Sequence, residues 1–387
     1  MAEDGAPKRI EIIGGTTEAA PETSPPSPVS GNDSFPSPQD IAVLEIDGMQ
    51  YGEWESVSVR HAYYDVPFVT ARFTCSEAQP IAANYAALRI LPGQWCKVYL
   101  GGQLMMSGYV ATRQVFYDAF RHYVEIQAVS NVASMAYTSI ISKTHELKNV
   151  TAEQAIRSWL APSGIQFRVE GGALPSRKFP RIAHAPGTPI IEMVETVLRQ
   201  LGSYPLRSNP QGELVVEAGE SSQTDTVTEG IDILEGREII QNLGMAKGSY
   251  GIGEQPGNDK TNMTKSAHEV FKANPYSNAA VEQYAPQVIA AEHPGDVQNM
   301  SGRANAEQLL QTQDTINVII TVRGWFKPSG GIWTCGQKVM VKSPMLVMDG
   351  SIDLKAKTIT YSQDNRRGTR TVLELANPLA LDKMNVG

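Results

Sequence analysis

The sequence predicts a β-rich α+β fold in which two similar small antiparallel β-barrels flank an α+β unit. Three observations carry this expectation. Short runs of alternating apolar and polar residues broken by glycine occupy both ends of the chain, two amphipathic helical patterns lie between them, and a motif from the first end recurs in the second. Composition agrees: 387 residues suffice for two or three units with buried cores, and 33 glycines and 24 prolines point to tight turns more than to long helices.

Residues 1–38 are rich in Pro, Ser, Thr and Glu, as in "PETSPPSPVS", and read as a flexible arm with too few apolar side chains to offset the entropy of ordering. Within it "KRIEIIGG" carries Ile10, Ile12 and Ile13, the composition of a short strand, and is expected either to lie against another chain by strand addition or to remain a tether. From residue 39 to 130 come "IAVLEIDG", "WESVSVRHAYYDV", "FVTARFTC", "WCKVYLGGQLMMSGYVATRQVFY" and "HYVEIQAVS", the runs of a first barrel.

An α+β unit follows over 131–221. "VTAEQAIRSWLAPSG" predicts a helix capped by Thr151 and Gln154, with Ala152, Ala155, Ile156, Trp159 and Leu160 on one face. "IQFRVEGG" reads as a strand. "GTPIIEMVETVLRQLGSYPL" predicts a second helix with Thr188 as cap, Pro189 at its first position and Gly202 past its end; its stripe is Ile190, Ile191, Val194, Val197, Leu198 and Leu201. A hairpin at "YPLRSNPQGELVVEAG" closes the unit. Residues 222–376 then form a second barrel interrupted near 245–312 by an insertion, mostly loop with a short helix at "SGRANAEQLLQTQ", and 377–387 form a tail. Ile316, Val318, Ile320 and Val322 alternate as a clear strand.

The recurring motif pairs "GQWCKV" at Gly93 with "GQKVMV" at Gly336. Gly108 follows the first copy and Gly350 the second, and each copy ends on a glutamate between aliphatics, "VEI" at 124–126 and "LEL" at 373–375. On this reading the stretch "VRGWFKPSGGIWTCGQKVMVKSP" is architectural: Gly324 and Gly336 turn corners, and Trp325 and Trp333, like Trp95 in the first copy, pack at barrel ends. The competing reading makes Trp325, Trp333 or Trp54 stacking platforms for a sugar.

The arrangement "TVRGW…GIWTCGQKVMVKSPML" followed by "ITYSQDNRRGTRTVLELANP" resembles the C-terminal barrel of the Mu-like contractile-phage baseplate hub proteins, also called late control or P-type tail proteins. "LPGQWCKVYLGGQLMMSGYV", "NVTAEQAIRSWLAPSGIQFRV", "APGTPIIEMVETVLRQLGSYPLRSNPQGELVV", "ILEGREIIQN" and "EQYAPQVIAAEH" fall in family order, over roughly residues 40 to 380. The leader and the polar "FKANPYSNAAVEQY" lie outside the pattern. The resemblance implies a structural homotrimer whose duplicated barrels form a pseudo-sixfold ring adapting a sixfold tail tube to a threefold spike. Its partners would be itself, the tube protein, the spike protein and other baseplate proteins, with DNA passing through unbound, in the virion tail after assembly in the host cytoplasm. The hub of a tailocin or related injection machine shares this pattern, and a peptidoglycan-degrading or carbohydrate-binding tail component is the third reading.

Charge and motifs narrow the remaining classes. A formal charge of −8 and a pI near 5.4 disfavour a phosphate-gripping surface and suit acidic or neutral channel walls. Cys75, Cys96 and Cys335 stand far apart in no ligand pattern and read as free buried thiols. "MAEDGAPKRIEIIGG" has no apolar core of a signal peptide, and no run reaches the roughly 18 to 20 apolar residues of a membrane helix, so no stable membrane insertion is expected. There is no Walker A, HExxH or GxSxG motif, and "GIGEQPG" at 251–257 has its third glycine out of place for a dinucleotide loop. Glu282 and Glu292 form the one imaginable carboxylate pair, with nothing to fix their geometry. The chain is thus expected to be no enzyme, with no catalytic residue, metal or cofactor.

Overall fold

The computed structural model describes residues 12–13, 38–52, 54–63, 67–76, 90–119, 122–202, 204–219, 224–241, 248–254, 264–270, 286–293, 297–313 and 315–377. The fold is β-rich α+β, as the alternating patterns predict. Strands β1 (Ile12–Ile13), β2 (Ala42–Ile46), β3 (Met49–Tyr51), β4 (Ser56–Ala62), β5 (Val69–Ser76), β6 (Trp95–Leu100), β7 (Gln103–Tyr117) and β8 (His122–Ser130) make the first β unit. Alternation places Leu44, Ile46, Val57, Val59, Phe73, Val98 and Ile126 in its core.

Next come β9 (Glu146–Thr151), α1 (Ala152–Leu160), β10 (Phe167–Glu170), β11 (Lys178–Ala183), α2 (Ile190–Leu201), β12 (Leu206–Ser208) and β13 (Leu214–Glu217), with a core of their own. Thr151 and Gln154 form the expected capping box, and all five residues of the α1 stripe are buried. In α2, Gly202 ends the helix at φ +110° as expected, but Thr188 is not the cap. Pro189 holds that position with no side-chain bond, and the Thr188 hydroxyl donates to the Ala185 carbonyl instead, closing a turn ahead of the helix. β12 and β13 form the predicted hairpin, with β10 parallel to β13; the β9–β11 ladder is an addition the sequence reading lacked.

The last part holds β14 (Thr224–Thr228), β15 (Ile233–Ile240), β16 (Gly248–Glu254), β17 (Thr264–Val270), β18 (Pro286–Ala290), α3 (Val297–Gln313), β19 (Ile316–Arg323), β20 (Lys338–Ser343), β21 (Met348–Asp364) and β22 (Gly368–Ala376). The expectation of a mostly looped insertion is corrected here. β16, β17 and β18 form a three-stranded sheet, and α3, four residues longer at its start than expected, packs over it. Glycine in β16 is a packing requirement: a Cβ on Gly251 would lie 2.2 Å from the Met300 carbonyl oxygen of α3.

The largest sheet runs β1-β3-β2-β6-β7-β8-β5-β4-β21-β22-β19-β15, with β14 and β20 joined at β21, and a single apolar core spans both of its halves. Its pairings repeat. The order β2-β6-β7-β8-β5-β4 in the first half matches β14-β20-β21-β22-β19-β15 in the second, although β14 runs parallel to β20 where β2 runs antiparallel to β6. The halves meet where β4 lies antiparallel to β21, in seven residue pairs from Thr358–Ala62 to Asp364–Ser56.

Candidate functional site

The duplicated Gly-Gln turn is where sequence and structure agree most closely. Gly93 (φ +91°) donates its amide to the Val110 carbonyl, and the Val110 amide returns a bond to the Gln94 carbonyl. Gly336 (φ +83°) and Gln337 make the same reciprocal pair with Ala356. In each copy the glutamine side chain accepts the amide three residues earlier, Leu91 at 2.6 Å and Thr334 at 2.9 Å. One residue past Val110 and Ala356, a bulge at Ala111 and Lys357 shifts the ladder to the next strand.

The other two legs of the repeat do not superpose. Counting along the ladders from Val110 and Ala356, Gly108 falls at Leu354, and Glu374 falls at Gln127 and not at Glu125. Gly108 is glycine because a Cβ would lie 2.0 Å from the Val129 carbonyl oxygen, whereas Gly350 (φ +81°) follows the turn between β20 and β21. The two glycines serve different needs.

Trp325 and Trp333 are each 1% exposed and Trp54 is 6% exposed, so none offers a face to a sugar. The Trp325 Nε1 donates to the Ser362 carbonyl at 3.3 Å, and the Tyr361 hydroxyl donates to the Trp333 carbonyl. Gly324 (φ +71°) turns the chain into this loop. Trp95 differs, being 39% exposed and edge-on to Tyr109 at 4.9 Å. The loop is fastened by a residue the sequence reading passed over. Asp225 of β14 is buried and takes Lys327 Nζ at 3.3 Å, Gln337 Nε2 at 3.3 Å and the Ser329 hydroxyl. Its signal was present: "TDTVT" puts Asp225 in phase with buried Val227, and an aspartate on the inner face of a strand needs donors.

A cleft of about 280 Å³ lies where both β units meet the helical unit, lined by His61, Met105, Arg207, Glu217, Trp333 and Cys335 among others. Arg207 of β12 donates to Glu217 at 2.7 Å and to Glu170, and the Tyr63 hydroxyl donates to Glu217. Burial, with Arg207 adding to it, holds the His61 imidazole down to about 4, and burial pushes the Cys335 thiol up to about 12. The Tyr63–Glu217–Arg207–Glu170 bonds make a polar joint between the first β unit and the helical unit.

No cysteine is joined in a disulfide; Cys75 and Cys96 are buried and Cys335 partly so. Among the described residues no group of three or more His, Cys, Asp or Glu could hold a metal ion; His145 and His184 meet at 5.2 Å without a third ligand. Glu292 is bound to Arg303 at 3.2 Å, and Glu282 lies outside the described residues. No helix among the described residues is long and apolar enough to cross a membrane. In the leader, Ile12 and Ile13 pair antiparallel with Tyr51 and Gln50, so the strand expected against another chain is added to this chain's own edge, while Ile10 lies outside the described residues. A tethered strand meets its own open edge at high effective concentration.

Comparison with known proteins fits this architecture. Residues 41–128 match the family model of the Mu phage baseplate assembly protein GpP-like N-terminal domain. No curated protein matches the chain. Among solved structures, a 43 kDa tail protein of prophage MuSo2 from Shewanella oneidensis is 19% identical, with a TM-score of 0.73 over 88% of this chain and 99% of its own. A tail protein from Neisseria meningitidis MC58 is 15% identical, with a TM-score of 0.70 over 89% and 98%. A type VI secretion system component of E. coli is 10% identical, with a TM-score of 0.55 over 87% and 76%. Residues 41–128 are thus similar to that domain, and the chain shares the fold of these tail proteins.

Proposed function

We propose that this chain, with its GpP-like first unit on a tail-protein fold, is the structural hub of a contractile-tail baseplate. Three copies form a pseudo-sixfold ring that adapts a sixfold tail tube to a threefold spike and leaves a channel for DNA. The observation that carries this reading is the duplication: one strand order and one Gly-Gln turn occur twice per chain, so three chains offer six similar units to six tube subunits. The two β units correspond to residues 39–130 and 222–376, and the α+β unit at 131–221 sits outside the ring or toward the spike. Its partners are further copies of itself, the tube and spike proteins and neighbouring baseplate proteins, in the virion or in a tailocin or related injection particle. It acts by geometry, without catalysis or cofactor, and the burial of Trp54, Trp325 and Trp333 removes the surface that the carbohydrate-binding alternative needed.

A reconstruction of the assembled particle tests this reading. Three copies around the channel are expected, with walls dominated by acidic and neutral side chains; any other copy number, or walls lined mainly by Lys and Arg, refutes it.

A further inference from the structure

Among the described residues the internal duplication leaves one joint made and its counterpart unmade. Within the chain, the outer edge of β4 is covered by the second half of β21. The counterpart of β4 is β15, and among the described residues β15 pairs only with β19. The counterpart of the second half of β21 is the second half of β7, Thr112 to Tyr117, which pairs with β8 on one edge and with no described strand on the other. These two edges, paired on that side with no described strand, carry exposed apolar side chains, Val115 and Phe116 on β7 and Leu234, Ile239 and Ile240 on β15. Such edges are templates for pairing with another chain.

We propose that β15 of one protomer pairs antiparallel with the second half of β7 of the next copy of this chain, repeating between protomers the β4–β21 joint inside each one. This rests on the trimeric-ring reading and names the surface that closes the ring. The register follows from the ladders. Val110 corresponds to Ala356, Ala128 to Leu375, Ala71 to Val318 and Val59 to Glu238, and Val115 stands where Tyr361 does. Since Tyr361 faces Val59 and Ile359 faces His61 within the chain, Val115 faces Glu238 and Arg113 faces Ile240 across the joint.

A chemical observation made independently of the register supports it. Glu238 lies in phase with Gly236, whose Cβ would point at the buried Leu346, so Glu238 stands on the core-facing side of its strand. Its Oε1 is buried without a hydrogen-bond partner, and desolvation raises its pKa. A buried carboxylate oxygen of this kind calls for a donor. In the proposed register Arg113 of the neighbouring copy, exposed here, is the diagonal neighbour of Glu238 on that same face, a spacing that a long side chain bridges. Every Gly236, Glu238, Ile240 face thus meets an Arg113, Val115 face.

The test is cross-linking of the full-length chain carrying Gln114→Cys and Ile239→Cys, which face each other in the same register and leave Arg113 and Glu238 in place, bridged by a short bismaleimide, with sedimentation run in parallel. A ladder ending at a covalent trimer is expected. The control, Val115→Cys with Ile239→Cys, places the thiols on opposite faces and should give at most about a tenth of that product. Trimers that do not cross-link refute the strand pairing and leave the trimeric ring standing. Monomers that never cross-link refute the pairing and count against self-assembly as well, whereas open ladders beyond three keep the pairing and refute closure at three. Arg113→Glu or Glu238→Arg alone should weaken association roughly tenfold and the double exchange should restore most of it. Equal weakening in all three variants refutes the ion pair.

Discussion

Replacing Asp225 by asparagine removes one charge at nearly constant volume from the point where the tryptophan loop is tied to β14. Asp225 and Lys327 have side chains only 5% and 6% exposed and lie 3.3 Å apart, so the variant leaves an ammonium buried with no counter-charge. Breaking a buried pair from one side costs about 3 to 5 kcal/mol, most of it the desolvation of the abandoned partner. The Ser329 and Gln337 bonds survive in part, because the remaining amide oxygen still accepts. Asp225→Asn should therefore lower stability by about 3 to 5 kcal/mol, and Asp225→Asn with Lys327→Met, which removes the stranded charge, by only about 1 kcal/mol. Urea unfolding read through tryptophan emission suits the measurement, since Trp325 and Trp333 are buried on either side of Lys327 and report directly on the loop. A single variant within about 1 kcal/mol of the wild type, or a double variant no better than the single, refutes the claim that this pair is what fastens the loop.

Two further outcomes are expected. Trp325→Ala or Trp333→Ala should each cost about 3 to 5 kcal/mol and give poorly soluble chain, seen as a lowered thermal midpoint; a variant that melts normally yet loses binding to cell-wall material would restore the sugar-platform reading. For His61, a folded pKa of about 4 against 6.5 for the free imidazole means that the fold favours the neutral ring. Its contribution is complete above pH 6.5 and is lost as pH falls toward 4, by at most ~3 kcal/mol, so stability profiles of wild type and His61→Asn should diverge in that window.

Features fixed by a local requirement were legible in the sequence. The α1 stripe is a matter of helical period, and the Gly-Gln turn needs positive φ at Gly93 and Gly336 and a side-chain acceptor one residue later, so both survive as readable pattern. Features fixed by distant contact were not. Gly108 and Gly350 looked equivalent only because a fixed spacing ignores bulges, and β16 hid behind glycines whose cause is a helix nearly fifty residues away. The Arg207 joint was invisible because Tyr63, Glu170 and Glu217 come from segments with no shared pattern, and Thr188 is no cap because its hydroxyl donates to the Ala185 carbonyl ahead of the helix instead of accepting an amide of the first turn. Candidate interface residues fared by type: buried Trp325 and Trp333 followed from their apolar setting, while the charge on β15 gains meaning only once β4 and β15 are seen as counterparts.

The β4–β21 ladder also sets an order of events during synthesis. Ser56 and Asp364 are partners across roughly 300 residues, so at ~5 to 20 residues per second the ribosome needs about 15 to 60 s after β4 emerges to deliver the strand that covers it. Through that interval the first unit holds its apolar core beside an uncovered edge, and the region at risk of mispairing between nascent chains on one message is Ser56–Ala62. Slower translation of the middle of the chain lengthens that exposure.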